Sequence, residues 1–159
     1  KFQIAYTTTC SQKYHAAVEL VKEIVERGEK VIIFVKYISE ALSLRESTGG
    51  LLYTGKRKDD LARFERDENV LICTYGVGSV GLNLQCANNL IFYSQTFDFK
   101  EKEQAKYRVY RIGQQRSVNI YNLWVDTKLE EIIRKNLSKK GNLLRDVERV
   151  ISTKEARKL

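Results

Sequence analysis

Hydrophobic positions along the chain alternate between helical spacing and short continuous runs. Apolar residues recur at helical spacing over residues 11–27, and Gly28 follows where a helix would end. The next run, V-I-I-F-V from Val31 to Val35, is typical of a strand that is buried on both faces. The two patterns then repeat along the chain. We predict strands at residues 31–35, 51–54, 70–74, 90–93 and 118–125, and helices at 11–27, 39–46, 59–66, 77–84, 100–111, 128–140 and 143–152.

This alternation of strands and helices predicts an α/β fold. Strand–helix–strand units close by right-handed crossovers, so we expect an open, mostly parallel sheet of about five to six strands with helices on both faces. We place this domain at residues 1–126. Residues 127–159 are predicted to be a helical tail that packs on the domain or extends from it, with ten basic and five acidic residues. The charge of the tail indicates a solvated face, which we favour, or a surface for nucleic acid or a partner.

The net charge of +8 and the isoelectric point near 9.4 favour a polyanion as partner, because basic side chains that neutralise phosphates release condensed counterions. A basic protein without such a partner fits the charge equally well. No apolar run approaches the roughly 20 residues that span a bilayer, and the amino terminus carries no export signal. We therefore expect an intracellular protein, in the cytoplasm, nucleoid or nucleus, with no membrane partner. Three separated cysteines and one histidine predict no metal site.

One segment imitates a phosphate-binding loop. Residues 50–57, G-L-L-Y-T-G-K-R, approach the pattern G-x-x-x-x-G-K-[ST], but Arg57 replaces the hydroxyl residue that would hold magnesium. The residues between the two glycines also form a predicted strand, whereas a phosphate loop follows a strand and opens a helix. We therefore predict that this segment is not a phosphate loop.

A glycine-rich segment follows the predicted strand at residues 70–74. Residues 75–84 are Y-G-V-G-S-V-G-L-N-L. A strand end followed by glycines and a helix start exposes backbone N–H groups that can bind phosphate. Loops at the carboxyl ends of strands are also the usual binding site of open α/β sheets. Glycine loops serve as plain turns too, so this segment suggests a site without establishing one.

The second segment that indicates chemistry is Q-A-K-Y-R-V-Y-R-I-G-Q at residues 104–114. On a helix, Gln104, Arg108 and Arg111 fall at i, i+4 and i+7, so they would share one face. Like charges at this spacing repel, and Gln104 supplies no acid four residues before Arg108. An external anion would satisfy both guanidinium groups, and the planar fork of arginine suits phosphate. The alternative is that both arginines are structural and are buried against acids such as Asp98 or Glu101.

These two segments resemble the fifth and sixth motifs of the Swi/Snf-type ATPases of the superfamily-two helicases. The fifth motif ends in G-[LI]-N-[LI], found here at residues 81–84, and the sixth, Q-A-x-x-R-x-x-R-x-G-Q, matches at every fixed position of residues 104–114. Residues 30–34 resemble the fourth motif and 119–121 the strand after the sixth, so the resemblance covers about residues 14–137. It implies the carboxy-terminal RecA-like lobe of such an enzyme, without its own phosphate loop.

The resemblance also implies a role for each matching residue. Arg108 and Arg111 would be arginine fingers that reach the γ-phosphate of ATP, and Gln104 would position them or the nucleotide. ATP and magnesium would be held mainly by an N-terminal RecA-like lobe of the same protein, so the isolated lobe is expected to be inactive. The nucleic acid would be double-stranded DNA. The further residues implied are Gly78, Gly81, Gly113 and Gln114 for the nucleotide, and Thr54, Gly55, Lys56, Thr74, Leu82 and Asn83 for the nucleic acid.

A second hypothesis is a module that binds nucleic acid or protein without any ATP step, in which the two arginines would affect only affinity. The sequence also departs from the family pattern. Gly78-Ser79 replaces a glycine pair, and residues 97–99, F-D-F, replace the usual W-N-P. These changes make the chain more similar to compact bacterial or bacteriophage members than to chromatin remodellers. Aromatic residues near the motifs could stack on bases, although core or cleft packing is favoured for them: Tyr75, Phe97, Phe99 and Tyr107.

Overall fold

The computed structural model describes residues 3–8, 10–77 and 84–139. Within these ranges no helix is long and apolar enough to cross a membrane. The strands are β1 (Gln3–Thr8), β2 (Val31–Val35), β3 (Leu51–Tyr53), β4 (Val70–Thr74), β5 (Asn89–Phe92) and β6 (Asn119–Val125). The helices are α1 (Cys10–Glu26), α2 (Ile38–Thr48), α3 (Leu61–Arg66), α4 (Phe99–Val109) and α5 (Lys128–Ser138).

The six described strands form one sheet in the order β1-β6-β5-β2-β4-β3, and every neighbouring pair is parallel. β2 lies at the centre, with Val31 opposite Val70 of β4 and Asn89 of β5. The predicted α/β class and the parallel sheet are confirmed. Since the strands all run the same way, the loops that follow them meet at one edge of the sheet, here called the carboxyl edge, and the opposite edge is the amino edge.

Helices cover both faces of the sheet, as predicted. Side chains of a strand point alternately to its two faces. Ile33 of β2 belongs to an apolar cluster that includes Ala17 of α1 and Leu44 of α2. Its neighbour Ile32 belongs to the opposite cluster, which includes Phe64 of α3 and residues of α4. The continuous hydrophobic runs in the sequence therefore arise because the central strands are buried on both sides.

The last described helix, α5, packs on the end of the lobe. It begins at Thr127, whose hydroxyl accepts a hydrogen bond from the backbone N–H of Glu130 at 3.2 Å. Ile133 and Leu137 are buried in a small cluster with Trp124 of β6. The division of the chain at residue 126 stays a prediction, because residues 140–159 lie outside the described part.

A buried polar network occupies the amino edge. Asn89 is fully buried, and its side-chain amide donates to the Glu29 carboxylate at 2.7 Å and accepts from Asn119 at 3.1 Å. Asn88 donates to the same carboxylate oxygen at 3.4 Å. The hydrogen bond from Asn89 contributes most to holding the pKa of Glu29 below its ordinary value.

Lys30 lies beside this network and closes the end of α3. Its ammonium donates to the carbonyl oxygens of Phe64 at 2.7 Å and Glu68 at 2.6 Å. Carbonyls at a helix carboxyl terminus lack intrahelical partners, so a cation there stabilises the helix end. The resemblance placed Lys30 at the start of the fourth motif. In the structure its ammonium is bonded to these two carbonyl oxygens and stabilises the fold.

Three predictions about elements need comment. No element was predicted before residue 11, but residues 3–8 form β1 at the edge of the sheet next to β6. The predicted helix at 100–111 is two residues too long, since α4 ends at Val109. The predicted helix at 77–84 falls mostly on residues 78–83, and the one at 143–152 falls wholly on residues outside the described part; both stay predictions.

Candidate nucleotide and nucleic-acid site

Two of the segments that the sequence analysis singled out follow strands at the carboxyl edge, and the third covers the second half of α4 and the turn that leads into β6. The turn at residues 54–58 follows β3, the glycine-rich segment follows β4, and α4 follows β5 after a short connection. α4 begins where the Asp98 carboxylate accepts a hydrogen bond from the backbone N–H of Lys100 at 2.8 Å. Ala105 and Val109 on its inner face are buried in the core. This packing fixes the carboxyl end of α4, where the first arginine of the motif lies.

Arg108 lies on the buried side of α4. Only 9% of the residue is exposed, and its Nη1 donates to the backbone oxygen of Val77 at 2.8 Å. Burial lowers the pKa of its guanidinium, and the neighbouring Cys73 opposes this shift. Arginine remains charged in proteins nonetheless. Arg108 therefore connects the end of α4 to the residue that precedes the segment 78–83.

Arg111 lies beyond the helix and is exposed. The chain leaves the helical conformation at Tyr110, with φ −86° and ψ 77°. The expectation that Arg108 and Arg111 share a helical face with Gln104 is therefore wrong, because the third member is not on the helix. Gln104 is itself exposed on α4. In the described part of the chain the Arg111 guanidinium has no ion pair and no hydrogen bond to a protein group.

The turn that carries Arg111 is closed by hydrogen bonds from two glutamines. Gln85 Nε2 donates to the carbonyl oxygen of Ile112 at 2.9 Å. Gln114 Nε2 lies at 3.1 Å from the carbonyl oxygen of Gln85 and at 3.0 Å from that of Ala87. Gly113 has φ +105°, in the region that favours glycine. The amide of Gln114, which the sequence analysis assigned to the nucleotide, is used to hold the turn.

The turn and α4 form an open concave surface of about 890 Å³. Three large apolar or aromatic side chains are exposed around Arg111 there: Tyr107 at 58%, Tyr110 at 51% and Ile112 at 104%. A cation without an acidic partner in a concave, partly apolar surface is suited to bind an anionic ligand. The complete lining is Gln85, Tyr107, Tyr110, Arg111, Ile112, Gly113 and Gln114.

The alternative of arginines buried against acids does not describe either residue. The one side-chain hydrogen bond of Arg108 in the described part goes to a backbone carbonyl. Glu101, one of the two acids considered, instead accepts a hydrogen bond from the hydroxyl of Thr96. The side chain of Asp98 accepts from the first turn of α4. Arg108 is structural in its contacts, but it supports a loop and, within the described ranges, is not paired with a carboxylate.

The turn after β3 presents a basic side chain on a fixed backbone. Thr54 is almost fully buried, and its hydroxyl accepts from the backbone N–H of Arg57 at 3.1 Å. Arg57 pairs with Asp59 at 2.8 Å. Gly55 and Lys56 at the tip are exposed, and the Lys56 ammonium has no acidic partner within the described ranges. Residues 51–53 form β3, which confirms that this segment lacks the arrangement of a phosphate loop.

The glycine-rich segment is described only at its ends. Thr74 is buried at the last position of β4, and Gly76 follows with φ +76°. Tyr75 stacks on the rings of Phe34 and Phe92 inside the sheet cluster, so core packing is the correct interpretation of this residue. Four residues assigned to the site lie outside the described residues: Gly78, Gly81, Leu82 and Asn83.

The sequence-predicted residues thus fall into separate groups. Arg111, Gly113 and Gln114 share the concave surface, whereas Gln104 and Arg108 do not line it. The turn of Lys56 lies at the other end of the sheet order, after the edge strand β3. Gln85 was missed because it belongs to no motif. The sequence offered no sign of it beyond its place after the glycine-rich segment.

The described residues suit a phosphate better than a metal ion. They contain no group of three or more histidine, cysteine, aspartate or glutamate residues that could hold a metal. Arg111 can contact a phosphate, but a magnesium ion on that phosphate would need oxygen ligands from elsewhere.

Comparison with known proteins gives consistent matches. Residues 12–113 match the family model described as the helicase conserved C-terminal domain. An uncharacterized ATP-dependent helicase of Schizosaccharomyces pombe is 34% identical over 92% of this chain, which covers 16% of that protein. The putative ATP-dependent helicase/translocase YwqA of Bacillus subtilis is 31% identical over 84% of this chain and 16% of its own length. The chain thus spans less than a fifth of these relatives.

A solved structure agrees with the sequence matches. The C-terminal part of the Fun30 ATPase domain superposes with a TM-score of 0.68 at 29% identity, covering 77% of this chain and 44% of that one. Its crystal structure therefore shares the parallel sheet and the covering helices. The relatives come from a fungus and a bacterium, so the expected similarity to bacterial or bacteriophage members stays a prediction.

Proposed function

Because the chain belongs to the family of helicase conserved C-terminal domains found in Swi/Snf-type ATP-dependent helicases, we propose that it is the second motor lobe of a DNA-dependent ATPase. In this proposal Arg111 contacts the γ-phosphate of ATP that an N-terminal lobe of the same protein holds with magnesium. Closure of the two lobes brings Arg111 to the nucleotide, and repeated closure moves the lobes along double-stranded DNA. The isolated lobe has no turnover of its own.

The surroundings of Arg111 carry this proposal. The side chain is exposed on a hydrogen-bonded turn between α4 and β6, and no acid in the described part neutralises it. An arginine finger stabilises the charge that develops on the transferred phosphoryl group and is worth roughly 10³ to 10⁵ in rate. A guanidinium already paired with a carboxylate would have to break that pair first. Among the residues that the structure describes, Arg111 has no such pair to break.

We assign Arg108 a different role from Arg111, although the sequence motif suggested the same role for both. Arg108 is nine-tenths buried and holds Val77, next to the segment that would contact nucleic acid. Its charge supports the position of this segment while Arg111 acts on the nucleotide. Gln104, exposed on the same helix, remains a candidate to contact the nucleotide or the opposing lobe.

The nucleic acid is proposed to cross the carboxyl edge near β3 and β4. Lys56 at the exposed turn is free to neutralise a backbone phosphate, and Gly55 lets the backbone approach closely. Thr74 supports the start of the glycine-rich segment, from which Leu82 and Asn83 would reach the same backbone. The net charge of +8 supports a polyanionic partner. Contacts of this kind position the lobe without reading the base sequence.

The test is DNA-stimulated ATP hydrolysis by a two-lobe protein in which the N-terminal lobe is restored. Arg111→Ala should lower kcat by about two orders of magnitude or more while DNA affinity changes by less than about twofold. Arg116→Ala removes another exposed arginine five residues further along and serves as the matched control, with kcat nearly unchanged. Unchanged turnover in Arg111→Ala, or no hydrolysis with any nucleic acid, contradicts the proposal. Loss of DNA affinity alone would favour a non-catalytic binding module.

A further inference from the structure

The Arg111 turn depends on a residue from a different part of the chain. Gln85 lies after the glycine-rich segment, 27 positions before Ile112, and its Nε2 donates to the carbonyl oxygen of Ile112 at 2.9 Å. That carbonyl belongs to the residue directly after Arg111. The contact therefore fixes the peptide that follows the proposed finger, and both residues line the concave surface.

The main chain of Gln85 is held in turn by the segment it supports. Gln114 Nε2 donates to the carbonyl oxygens of Gln85 and Ala87 at 3.1 and 3.0 Å. Gly113 lies between these contacts with φ +105°, and a Cβ placed on it would come within 3.6 Å of Gln85 Nε2. The two glutamines thus form a reciprocal pair, here called the glutamine clamp. Gln85 holds the turn that carries Arg111, and Gln114 holds the segment that contains Gln85.

The clamp also connects the finger turn to the glycine-rich segment. Leu84, at the carboxyl end of that segment, donates its backbone N–H to the carbonyl oxygen of Arg108 at 3.2 Å. At the other end, Arg108 Nη1 binds the carbonyl oxygen of Val77. Both flanks of residues 78–83 are therefore fastened to the carboxyl end of α4. A displacement of one flank would be transmitted to the turn that carries Arg111.

We propose that Gln85 is a positioning residue for Arg111, and this assignment rests on the proposed function of Arg111. Without the bond from Gln85, the peptide between Ile112 and Gly113 loses its only side-chain donor in the described part of the chain. The turn then samples further conformations, because its glycine permits them. A guanidinium that must meet a transferring phosphoryl group tolerates little displacement, and a shift of about 1 Å can cost on the order of 10² in rate.

The test measures ATP hydrolysis by the two-lobe protein with Gln85→Met, which keeps a similar side-chain length without a donor. Since Gln85 acts through Arg111, kcat should fall about tenfold while KM for ATP stays within about twofold. Gln85→Glu also lacks the donor and should behave alike. Gln115→Met is the matched control, since Gln115 is exposed on the next segment and makes no side-chain hydrogen bond in the described residues. Circular dichroism establishes a temperature at which all variants are folded.

A double-mutant cycle separates this assignment from the proposed function. In an Arg111→Ala background, Gln85→Met should change kcat by less than about twofold, because the residue it positions is gone. An equal tenfold loss in both backgrounds, or no loss in the native background, overturns the positioning role while leaving Arg111 as the finger. A raised KM with unchanged kcat overturns it too and would make Gln85 a direct nucleotide contact. If Arg111→Ala by itself leaves kcat unchanged, both the proposed function and this assignment are contradicted.

Discussion

Charged and amide side chains lie at both edges of the parallel sheet, but their surroundings differ. At the amino edge Glu29 is bonded to Asn89, and Lys30 is bonded to two carbonyl oxygens at the end of α3. Arg111, on the turn between α4 and β6, and Lys56, on the turn after β3, are exposed instead, and within the described ranges neither has an acidic partner. The polar network of Glu29 and Asn89 holds the fold together, whereas the two exposed turns leave their basic groups for a ligand.

Burial explains why these two sets of polar groups differ. The network of Glu29 and Asn89 lies beside the starts of buried strands, so its polar groups must be satisfied within the protein. The turns that carry Arg111 and Lys56 are exposed, so a ligand can reach their basic groups. Substitutions in the polar network should therefore lower stability, and substitutions on the exposed turns should lower turnover or affinity.

The largest stability effect is expected for Asn89→Ala at the amino edge. It removes the main donor to the Glu29 carboxylate and the acceptor of Asn119, so the free energy of unfolding should fall by roughly 2–3 kcal/mol. Urea unfolding of the lobe measures this change. Asn69→Ala, at the same edge but without a side-chain hydrogen bond in the described part, should change stability by less than about 0.5 kcal/mol.

ATP turnover of folded Asn89→Ala should match the native two-lobe protein. A large loss of turnover without a loss of stability would contradict the division between the polar network and the exposed turns. Stability measured as the pH falls tests the same hydrogen bond between Asn89 and Glu29. The folded pKa of Glu29 lies below its unfolded value, so the stability that Glu29 contributes is present above the unfolded pKa and is lost as the pH falls. The difference in the free energy of unfolding between the native protein and Asn89→Ala should therefore decrease at acidic pH.

A smaller stability effect concerns Lys102, a second buried polar group of the fold. Its ammonium is buried close to the carboxyl edge and donates to the side-chain oxygens of Gln95 and Asn122, both at 2.6 Å. Burial lowers its pKa from the ordinary value of 10.5 to about 7. Between these values the unfolded chain binds more protons than the folded one, so native stability rises with pH across this range. A buried lysine here behaves as part of the fold and not as a ligand site.

Lys102→Met removes this dependence. Between pH 7 and pH 9.5 the stability of the native lobe relative to Lys102→Met should increase by roughly 3 kcal/mol. Lys100→Met, which removes an exposed lysine of the same helix, is the matched control. Thermal unfolding at a series of pH values distinguishes the two. A native-to-variant difference that is constant with pH would mean that Lys102 keeps its charge in the folded lobe.

The smallest effect is expected for Lys56→Ala at the turn after β3. Removal of one phosphate contact should weaken DNA binding a few-fold and reduce the slope of log affinity against log salt by about one. Stability should change by less than about 0.5 kcal/mol, because the side chain is exposed. Lys22→Ala, an exposed lysine of α1 near the amino edge, is the control and should leave the slope unchanged. An equal change in both variants would mean that only net charge matters.

The central strands and most helices could be predicted from the sequence because their patterns are local. Residues 31–35 and 70–74 are continuous apolar runs, and both proved to be strands buried on two faces. β1 was missed because its sequence, Q-I-A-Y-T-T, is short and half polar, and the strand has one neighbour at the edge of the sheet. A strand of this kind is defined by its pairing more than by its own residues.

The site was harder to predict because its geometry depends on tertiary contacts. Tyr110 and Ile112 continue an apolar helical pattern past Val109, so the sequence favoured a longer helix. The helix ends earlier because Gly113 takes a positive φ and Gln114 turns back to bond distant carbonyls. The separation of Arg108 from Arg111 follows from that turn, and Gln85 enters only because the fold brings it beside Ile112.

The most direct test of the account compares the affinity of the two-lobe protein for two nucleotides, a non-hydrolysable ATP analogue and ADP with fluoroaluminate, which imitates the transferring phosphoryl group. An arginine that acts in the transition state contributes little to ground-state binding. The account predicts that Arg111→Ala binds the ATP analogue within about twofold of the native protein but binds the fluoroaluminate complex at least about 100-fold more weakly. Equal weakening of both ligands, or of neither, would contradict the finger role of Arg111.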